Sequence, residues 1–255
     1  MRLLLLGGTG EARALAARLH PDVDIVSSLA GRVPEPALPV GPVRLGGFGG
    51  VPGLRNWLAD NHITAVVDAT HPFAATITAH AAQACGELGI PHLVLHRPPW
   101  VLDRAIKVRS DIEAAEIVAA RSYSRVFLTT GRSGAAAFSG SGAWFLIRVV
   151  TAPDPAVLPC DHHLLLSRGP YRYGDERALL ADHRIDVLVT KNSGGEMTRA
   201  KLDAAGNLGI DVVMIERPAL PSGLRVVSEI DDAVDWVGRQ RNSSDRAGPT
   251  PGSRW

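Results

Sequence analysis

Short, wholly apolar runs alternate along the chain with longer segments in which apolar residues recur at helical spacing. The first predicted strand, from Arg2 to Leu6, contains the apolar run Leu3 to Leu6, and a glycine turn and an amphipathic segment from Glu11 to Leu19 follow it. A strand without a polar face must be covered on both sides, which is typical of a parallel sheet between two layers of helices. The pattern therefore predicts an α/β fold.

The same alternation continues through most of the chain. We expect further strands at residues 23–26, 43–45, 65–67, 92–95, 125–128, 144–150, 187–189 and 212–215, and helices at 54–61, 76–88, 111–121, 134–138, 175–182, 198–208 and 231–239. The segment 33–50 is rich in Gly and Pro, which predicts a loop around the short strand. Residues 242–255 lack apolar periodicity, which predicts a disordered tail.

The second half of the chain repeats short pieces of the first half. Arg97-Pro98 recurs as Arg217-Pro218, and other matches share this offset of about 120 residues. Coincidence among residues common in α/β proteins is the alternative explanation. The repeat predicts two similar domains, residues 1–98 and 99–241, whose strand-end loops face a shared cleft. Both loops are candidate sites, because open α/β sheets bind ligands outside the carboxyl ends of their strands.

Composition and charge exclude several classes of partner. The chain has 27 basic and 26 acidic residues, a net charge of +1, so no strong field attracts a nucleic acid or a membrane surface. No apolar run approaches the ~20 residues that span a bilayer, and Leu3 to Leu6 is too short for a secretion signal. Cys85 and Cys160 stand apart without metal-ligand spacing. We therefore expect a soluble, cytoplasmic protein without a metal site.

The glycine turn after the first strand is the first candidate site. Glycines at a strand-to-helix junction let a backbone approach a pyrophosphate, and the positive end of the helix attracts it. Gly8 and Gly10 match the first two glycines of a dinucleotide fingerprint, but Arg13 occupies the third position, so a plain tight turn is the alternative. The candidate cofactor-binding residues here are Gly7, Gly8, Thr9, Gly10 and Glu11.

The end of the second strand indicates which dinucleotide would bind. Sites for NAD place a carboxylate there against the ribose, whereas this strand ends in Ser27-Ser28 and Asp24 lies inside it. Ser28 can donate a hydrogen bond and Arg32 a charged fork to a 2′-phosphate. These residues favour NADP over NAD, although Arg32 as an ordinary surface charge is the alternative.

The loop from Asp68 to Phe73 follows another predicted strand and combines a carboxylate, a hydroxyl and an imidazole. These groups can position a nicotinamide or move a proton, so the catalytic candidates are Asp68, Thr70 and His71. Ala69, Thr70 and Pro72 are expected to contact the cofactor. In the alternative interpretation Thr70 caps the next helix and His71 is simply nearby.

Taken together, these motifs resemble those of the precorrin-6A reductase family of cobalamin biosynthesis. The resemblance covers residues 1 to about 240 and extends over segments 6–13, 68–74, 97–98 with Trp100, 129–131 and 191–195. It implies two Rossmann-like domains with mainly parallel sheets and the active site in the cleft between them. It also implies an NADPH-dependent reductase that saturates one C=C bond of precorrin-6A to give precorrin-6B, with neighbouring pathway enzymes as candidate partners.

Two other functions compete with this one. The family includes members that act on the cobalt-bound ring in the anaerobic branch, and the motifs do not separate them. A non-catalytic NADP sensor is the alternative from another class, although a sensor needs no second polar strand-end loop. A Tyr-x-x-x-Lys pair, which many carbonyl reductases use, is absent from the sequence. Reduction of a C=C bond does not need it.

A macrocycle that bears many carboxylates calls for dispersed cationic and amide donors. Arg13, Arg132 and Arg148 are candidates, and Lys191 is the favoured one because it stands at a strand end. The segments that resemble the family add small and polar residues beside them. The candidate substrate-binding residues are Arg13, Thr130, Gly131, Arg132, Lys191, Asn192, Ser193 and Gly194.

Overall fold

The structure is a computed structural model that describes residues 1–31 and 36–246, with side chains described as far as residue 243. Arg32, expected to contact a 2′-phosphate, lies outside the described residues, as do residues 247–255 of the expected tail. Within the described ranges the chain forms two parallel sheets of six strands each and seven α-helices.

The strands are numbered in chain order. They are β1 (Arg2–Leu6), β2 (Asp24–Leu29), β3 (Val43–Leu45), β4 (Ala65–Asp68), β5 (His92–Leu95), β6 (Ile106–Val108), β7 (Arg125–Thr129), β8 (Trp144–Val149), β9 (His162–Leu166), β10 (Val187–Lys191), β11 (Asp211–Ile215) and β12 (Arg225–Val227). The helices are α1 (Gly10–Leu19), α2 (Gly50–Asp60), α3 (Ala75–Leu88), α4 (Asp111–Ala120), α5 (Tyr173–Asp182), α6 (Ala200–Leu208) and α7 (Ile230–Arg246). The predicted helix at 134–138 is a short 3₁₀ helix, Ala135–Phe138.

The first sheet has the strand order β12-β5-β4-β1-β2-β3. Its central strand β1 is apolar throughout Leu3 to Leu6 because helices pack against both faces of the sheet. Leu3 and Leu5 pack on one face in a cluster that includes Leu15 of α1 and Trp236 of α7. Leu4 and Leu6 point to the other face, in a cluster that includes Leu58 of α2. The predicted α/β class with helices on both faces is confirmed.

The second sheet has the order β6-β11-β10-β7-β8-β9. One face of it packs Phe127 of β7 and Leu188 of β10 against a cluster that includes Leu180 of α5 and Leu202 of α6. When β1 is matched to β7, the strand order of the two sheets is the same, which is what the sequence repeat predicts. The loops after β4 and β10 therefore occupy equivalent positions in their sheets.

In each sheet, one of the two edge strands pairs with a strand that is distant from it in the chain. Ile106 of β6 pairs with Val213 of β11 in the second sheet, and Arg225 of β12 pairs with Leu93 of β5 in the first. The chain accordingly divides into one unit of Met1–Arg97 with the segment from Ala219 onward, and a second unit of Pro98–Pro218. Residues 219–241, which the sequence assigned to the second domain, belong to the first unit.

Three strands were not expected from the sequence, namely β6, β9 and β12. Each lies at the edge of its sheet and contains polar or exposed residues, so no continuous apolar run marks it. The expected tail also begins later than predicted, because α7 continues to Arg246. None of the helices in the described part of the chain is both long and apolar enough to cross a bilayer.

Candidate functional site

The glycine turn lies between β1 and α1, at the carboxyl edge of the first sheet. Gly7 donates its N–H to the carbonyl of Ser28 at 2.9 Å, which ties the turn to the end of β2. Thr9 is the N-cap of α1, and its hydroxyl accepts the N–H of Ala12 at 3.1 Å. The same hydroxyl donates to the carbonyl of Ala69 at 2.7 Å. Thr9 therefore joins the turn to the loop after β4.

The geometry of this turn fits a bound phosphate. Gly8 has a φ of +113°, which an L side chain rarely adopts, and a Cβ built on it would meet nothing within 4 Å. The space above it is open. The described residues provide no acceptor for the backbone N–H groups of Gly8 and Gly10. These donors, at the positive end of a ten-residue helix, are the ones that anions approach.

Glu11, in the first turn of α1, is paired rather than free. Its carboxylate lies 2.8 Å from the guanidinium of Arg97, and both side chains are largely buried. This pair neutralises an acid that would otherwise repel a phosphate at the turn. Sequence reasoning used Arg97 in the repeated Arg-Pro dipeptide and in the family resemblance, and missed this role.

Asp68 organises the loop after β4. It is 1% exposed, and its carboxylate accepts hydrogen bonds from the backbone N–H of Thr70 at 2.9 Å and from the hydroxyls of Thr70 at 2.7 Å and Thr78 at 2.6 Å. Burial, with a smaller effect of Asp68, raises the pKa of the nearby Cys85 thiol to about 12. The carboxylate is thus enclosed by protein donors.

His71 begins a tight turn over residues 71–74, in which Ala74 donates its N–H to the His71 carbonyl at 2.7 Å and Pro72 takes the second position. The imidazole is exposed, and its Nδ1 accepts the N–H of Phe73 at 3.2 Å. Thr70 does not cap the following helix, because α3 begins at Ala75. The Thr70 hydroxyl therefore donates a hydrogen bond to Asp68 and does not cap a helix.

The glycine turn and the loop after β4 line one shallow pocket in the first unit. Its walls combine residues expected at the cofactor with two that were not singled out, Leu95 at the end of β5 and Arg97. The lining residues are Thr9, Glu11, Thr70, Pro72, Leu95 and Arg97. The carboxyl ends of three neighbouring strands thus meet at one site, as the rule for open sheets requires.

The ends of β2 and β3 form the other side of this edge. Ser28 is buried and pairs in register with Arg44 of β3. The Arg44 guanidinium lies 3.4 Å from the Ser28 hydroxyl. Sequence reasoning placed Arg44 in the short strand at 43–45 but gave it no role, because the pairing of that strand with the end of β2 is not visible in the local pattern.

In the second unit, the residues expected to bind substrate follow β7 and β10. Thr130 is 4% exposed and its hydroxyl has no hydrogen-bond partner among the described residues, whereas Arg132 is exposed. Lys191, half-buried, lies 3.7 Å from the carboxylate of Asp111. Gly131 has a φ of +83°. The favoured lysine therefore already has an acidic neighbour from α4.

Asn192 is used inside the protein. It is 3% exposed, and its side chain accepts the N–H of Trp100 at 2.8 Å and donates to the carbonyl of Trp100 at 3.3 Å. Its own carbonyl accepts Nε–H of Arg217 at 2.7 Å. A Cβ on Gly194 would lie 2.1 Å from the Pro98 carbonyl oxygen, which explains the glycine. The loop after β10 is therefore held against the segment around Trp100.

Arg148 is not available to a substrate. It is buried on β8 and forms a bidentate pair with Glu176 of α5, at 2.9 and 2.7 Å. Its guanidinium also lies 4.0 Å from the ring centre of Tyr171. Sequence reasoning counted it as a dispersed cation because it could not show that an acid on a later helix neutralises it.

Two parallel α/β units with polar loops at the carboxyl ends of their strands place the chain among the α/β proteins that bind ligands at this edge of a sheet. Within that class, the chain belongs to the precorrin-6x reductase family CbiJ/CobK, whose profile matches residues 2–238.

Individual relatives agree with this assignment. The chain is 71% identical over 236 residues to a precorrin-6A reductase of Mycobacterium tuberculosis, which covers 92% of this chain and 97% of the relative. It is 53% identical over 243 residues to one from Rhodococcus erythropolis, covering 93% and 97%. A solved CobK precorrin-6A reductase superposes with a TM-score of 0.86 at 35% identity over 98% of both chains. Relatives named cobalt-precorrin-6A reductase match at 29% identity, so the alternative that acts on the cobalt-bound ring is not favoured.

Proposed function

We propose that this chain uses NADPH to reduce one C=C bond of precorrin-6A, giving precorrin-6B in cobalamin biosynthesis. The family membership supports the reaction and the substrate. The observation that supports a dinucleotide is the open glycine turn, where a Cβ on Gly8 would meet nothing within 4 Å and the N–H groups of Gly8 and Gly10 have no acceptor among the described residues. The reaction belongs to the cytoplasm, where cysteines such as Cys85 and Cys160 stay unpaired.

The first unit would hold the cofactor. Gly8 and Gly10 would donate to the pyrophosphate, and Gly7 would set the turn through its bond to Ser28. Ser28, at the end of β2, would lie at the ribose. Arg32 remains a proposed phosphate contact that rests on the sequence.

The loop after β4 would position the nicotinamide. Ala69, Thr70 and Pro72 stand at the carboxyl end of a central strand, beside Thr9. Because Asp68 is buried and its oxygens accept three protein donors, we assign it a positioning role, in which it fixes Thr70, and not direct contact with the reacting atoms. Bound NADPH would supply a hydride, and this loop would set the face from which it leaves.

The protein's part in proton delivery would be modest. An exposed His71 whose Nδ1 accepts a backbone N–H is not arranged as a buried general acid. The conjugated macrocycle can spread the added charge and take a proton from water. His71 would then orient the loop and contact the cofactor or substrate.

The second unit would bind the carboxylates of the macrocycle. Arg132 is an exposed cation in the loop after β7, and Lys191 lies at the end of β10. Thr130, Gly131, Ser193 and Gly194 would contribute small or polar groups beside them, while Asn192 would shape the loop by holding Trp100. Arg13, half-buried on α1 of the first unit, is a further proposed substrate contact.

The proposed function is tested by mixing the protein with NADPH and metal-free precorrin-6A. We expect the absorbance of the reduced nicotinamide at about 340 nm to fall as precorrin-6B forms. Cobalt-precorrin-6A and NADH serve as matched controls. Binding of NADPH without turnover of either ring would favour the NADP sensor, and turnover of the cobalt-bound ring alone would favour the anaerobic branch.

A further inference from the structure

Arg44 is placed at the ribose side of the proposed dinucleotide site. It pairs in register with Ser28, and residues opposite each other on neighbouring parallel strands project to the same face of the sheet. Ser28 in turn accepts the N–H of Gly7 through its carbonyl. A short chain of contacts thus leads from the glycine turn, through the end of β2, to the guanidinium of Arg44.

The guanidinium is held in one orientation by its surroundings. It donates to the carbonyls of Gly46 at 2.5 Å and Gly47 at 2.6 Å, and lies 3.8 Å from the ring centre of Phe48. It also lies 5.7 Å from the ring centre of Trp57 of α2. An arginine that is already fixed loses little further conformational entropy when it binds a ligand.

The charge of Arg44 is not matched by an acid in the described residues, where the ion pairs involve other arginines and Lys191. The groups that contact it are neutral, namely carbonyls, a hydroxyl and aromatic rings. Partial burial lowers the pKa of the guanidinium from its usual value, since the charged form is partly desolvated. A bound anion would restore the lost solvation, and the N–H donors that Ser28, Gly46 and Gly47 do not use would be left for a phosphate oxygen.

We propose that Arg44 binds the 2′-phosphate of NADPH and thereby sets the preference for NADPH over NADH. This inference rests on the proposed function, because it assigns a specificity-determining residue to the same cofactor site. It relies on three observations together: the position beside Ser28, the fixed guanidinium and the absence of an acidic partner within the described ranges. A purely structural arginine, which only pins residues 46–48, is the competing explanation.

The two explanations differ in how they treat the two cofactors. If Arg44 binds the 2′-phosphate, Arg44→Ala should weaken NADPH binding by about 10- to 150-fold and change NADH binding by less than about threefold. If Arg44 only holds the loop, both affinities should fall together. Arg44→Lys keeps the charge but loses the planar fork, so it should retain part of the preference.

The experiment measures Kd for NADPH and NADH by the fluorescence of the reduced nicotinamide, in the full chain and each variant. Arg55→Ala is the matched control, because Arg55 lies on α2 of the same unit and forms an exposed pair with Glu87. Competition with 2′-AMP and 5′-AMP adds a second measurement. Arg44→Ala should weaken 2′-AMP only, and NADH binding reports that the variant is folded.

The possible failures are distinguishable. Equal losses for NADPH and NADH, or an unchanged preference in Arg44→Ala, would overturn this inference while leaving the proposed function intact. Wild-type protein that binds neither cofactor would overturn the proposed function and this inference with it. Loss of NADPH preference in Arg55→Ala to the same degree would show a general charge effect and would also reject Arg44 as the specific contact.

Discussion

The hydroxyl of Thr9 donates to the carbonyl of Ala69 at 2.7 Å while it accepts the N–H of Ala12 at 3.1 Å. One buried side chain therefore caps α1 and also joins the glycine turn to the loop after β4. These are the two segments proposed to hold the pyrophosphate and the nicotinamide of the cofactor. This hydroxyl therefore helps to fix the position of the two segments relative to each other.

We expect Thr9→Val to reduce stability and cofactor affinity together. The substitution removes an N-cap, which costs about 1 kcal/mol, and leaves the Ala69 carbonyl buried without a donor, which costs a further ~1–3 kcal/mol. Kd for NADPH should rise by about tenfold if half of that loss falls on the bound state. Thr9→Ser keeps the hydroxyl and should behave like wild type. Chemical denaturation and cofactor titration check both expectations, and an unchanged Kd in Thr9→Val would contradict the proposed coupling.

The buried pair of Arg148 and Glu176 yields a prediction about stability alone. Glu176→Gln would leave a buried guanidinium without its counter-charge, so the free energy of unfolding should fall by about 3–5 kcal/mol. The double variant Arg148→Met with Glu176→Leu removes both charges and should lose less than Glu176→Gln. Urea unfolding measures both. A double variant as unstable as the single one would show that the pair contributes more than mutual neutralisation.

Gly194 and Gly209 form a matched pair for testing close packing. Both have positive φ, +67° and +69°, so alanine costs about 1–2 kcal/mol of backbone strain at either position. A Cβ on Gly194 would also meet the Pro98 carbonyl, whereas one on Gly209 meets nothing within 4 Å. We expect Gly194→Ala to lose a further ~1–3 kcal/mol and to lower turnover. Equal losses at the two positions would mean that the Pro98 segment yields easily.

The local apolar pattern predicted the buried strands. It did not predict the edge strands β6, β9 and β12. The continuous apolar strands β1, β4 and β10 were recognised because both of their faces are covered. The sequence did not predict that β6 joins the second sheet and β12 the first. The sheet that a short edge strand joins depends on its pairing with distant residues, here Val213 and Leu93, and not on its own sequence.

In the candidate site, too, local motifs could be predicted from the sequence and contacts between distant residues could not. The glycine turn was visible as a motif because its conformation constrains the residue types locally. The enclosure of Asp68 by Thr78, the pairing of Glu11 with Arg97 and the neutralisation of Arg148 by Glu176 all join segments that are far apart or separated by an element. Residue type alone therefore suggested free functional groups where tertiary contacts had already used them.

The last prediction concerns His71 and the source of the proton. Because Nδ1 accepts the Phe73 N–H, that hydrogen bond requires a ring without a proton on Nδ1. The ring is also exposed, so water competes with it at the same place. Both features favour a loop-positioning role over general acid catalysis.

We therefore expect His71→Asn to lower single-turnover rates by less than about tenfold at saturating NADPH, because asparagine can still accept the Phe73 N–H. A general acid would instead contribute on the order of 10²- to 10⁴-fold, and its loss would also remove the fall in rate with rising pH. His71→Ala, which lacks the acceptor, should raise Kd for NADPH more than His71→Asn does. Measuring rate against pH in wild type and both variants separates the roles, since a loss beyond about 100-fold in His71→Asn would identify His71 as the proton donor.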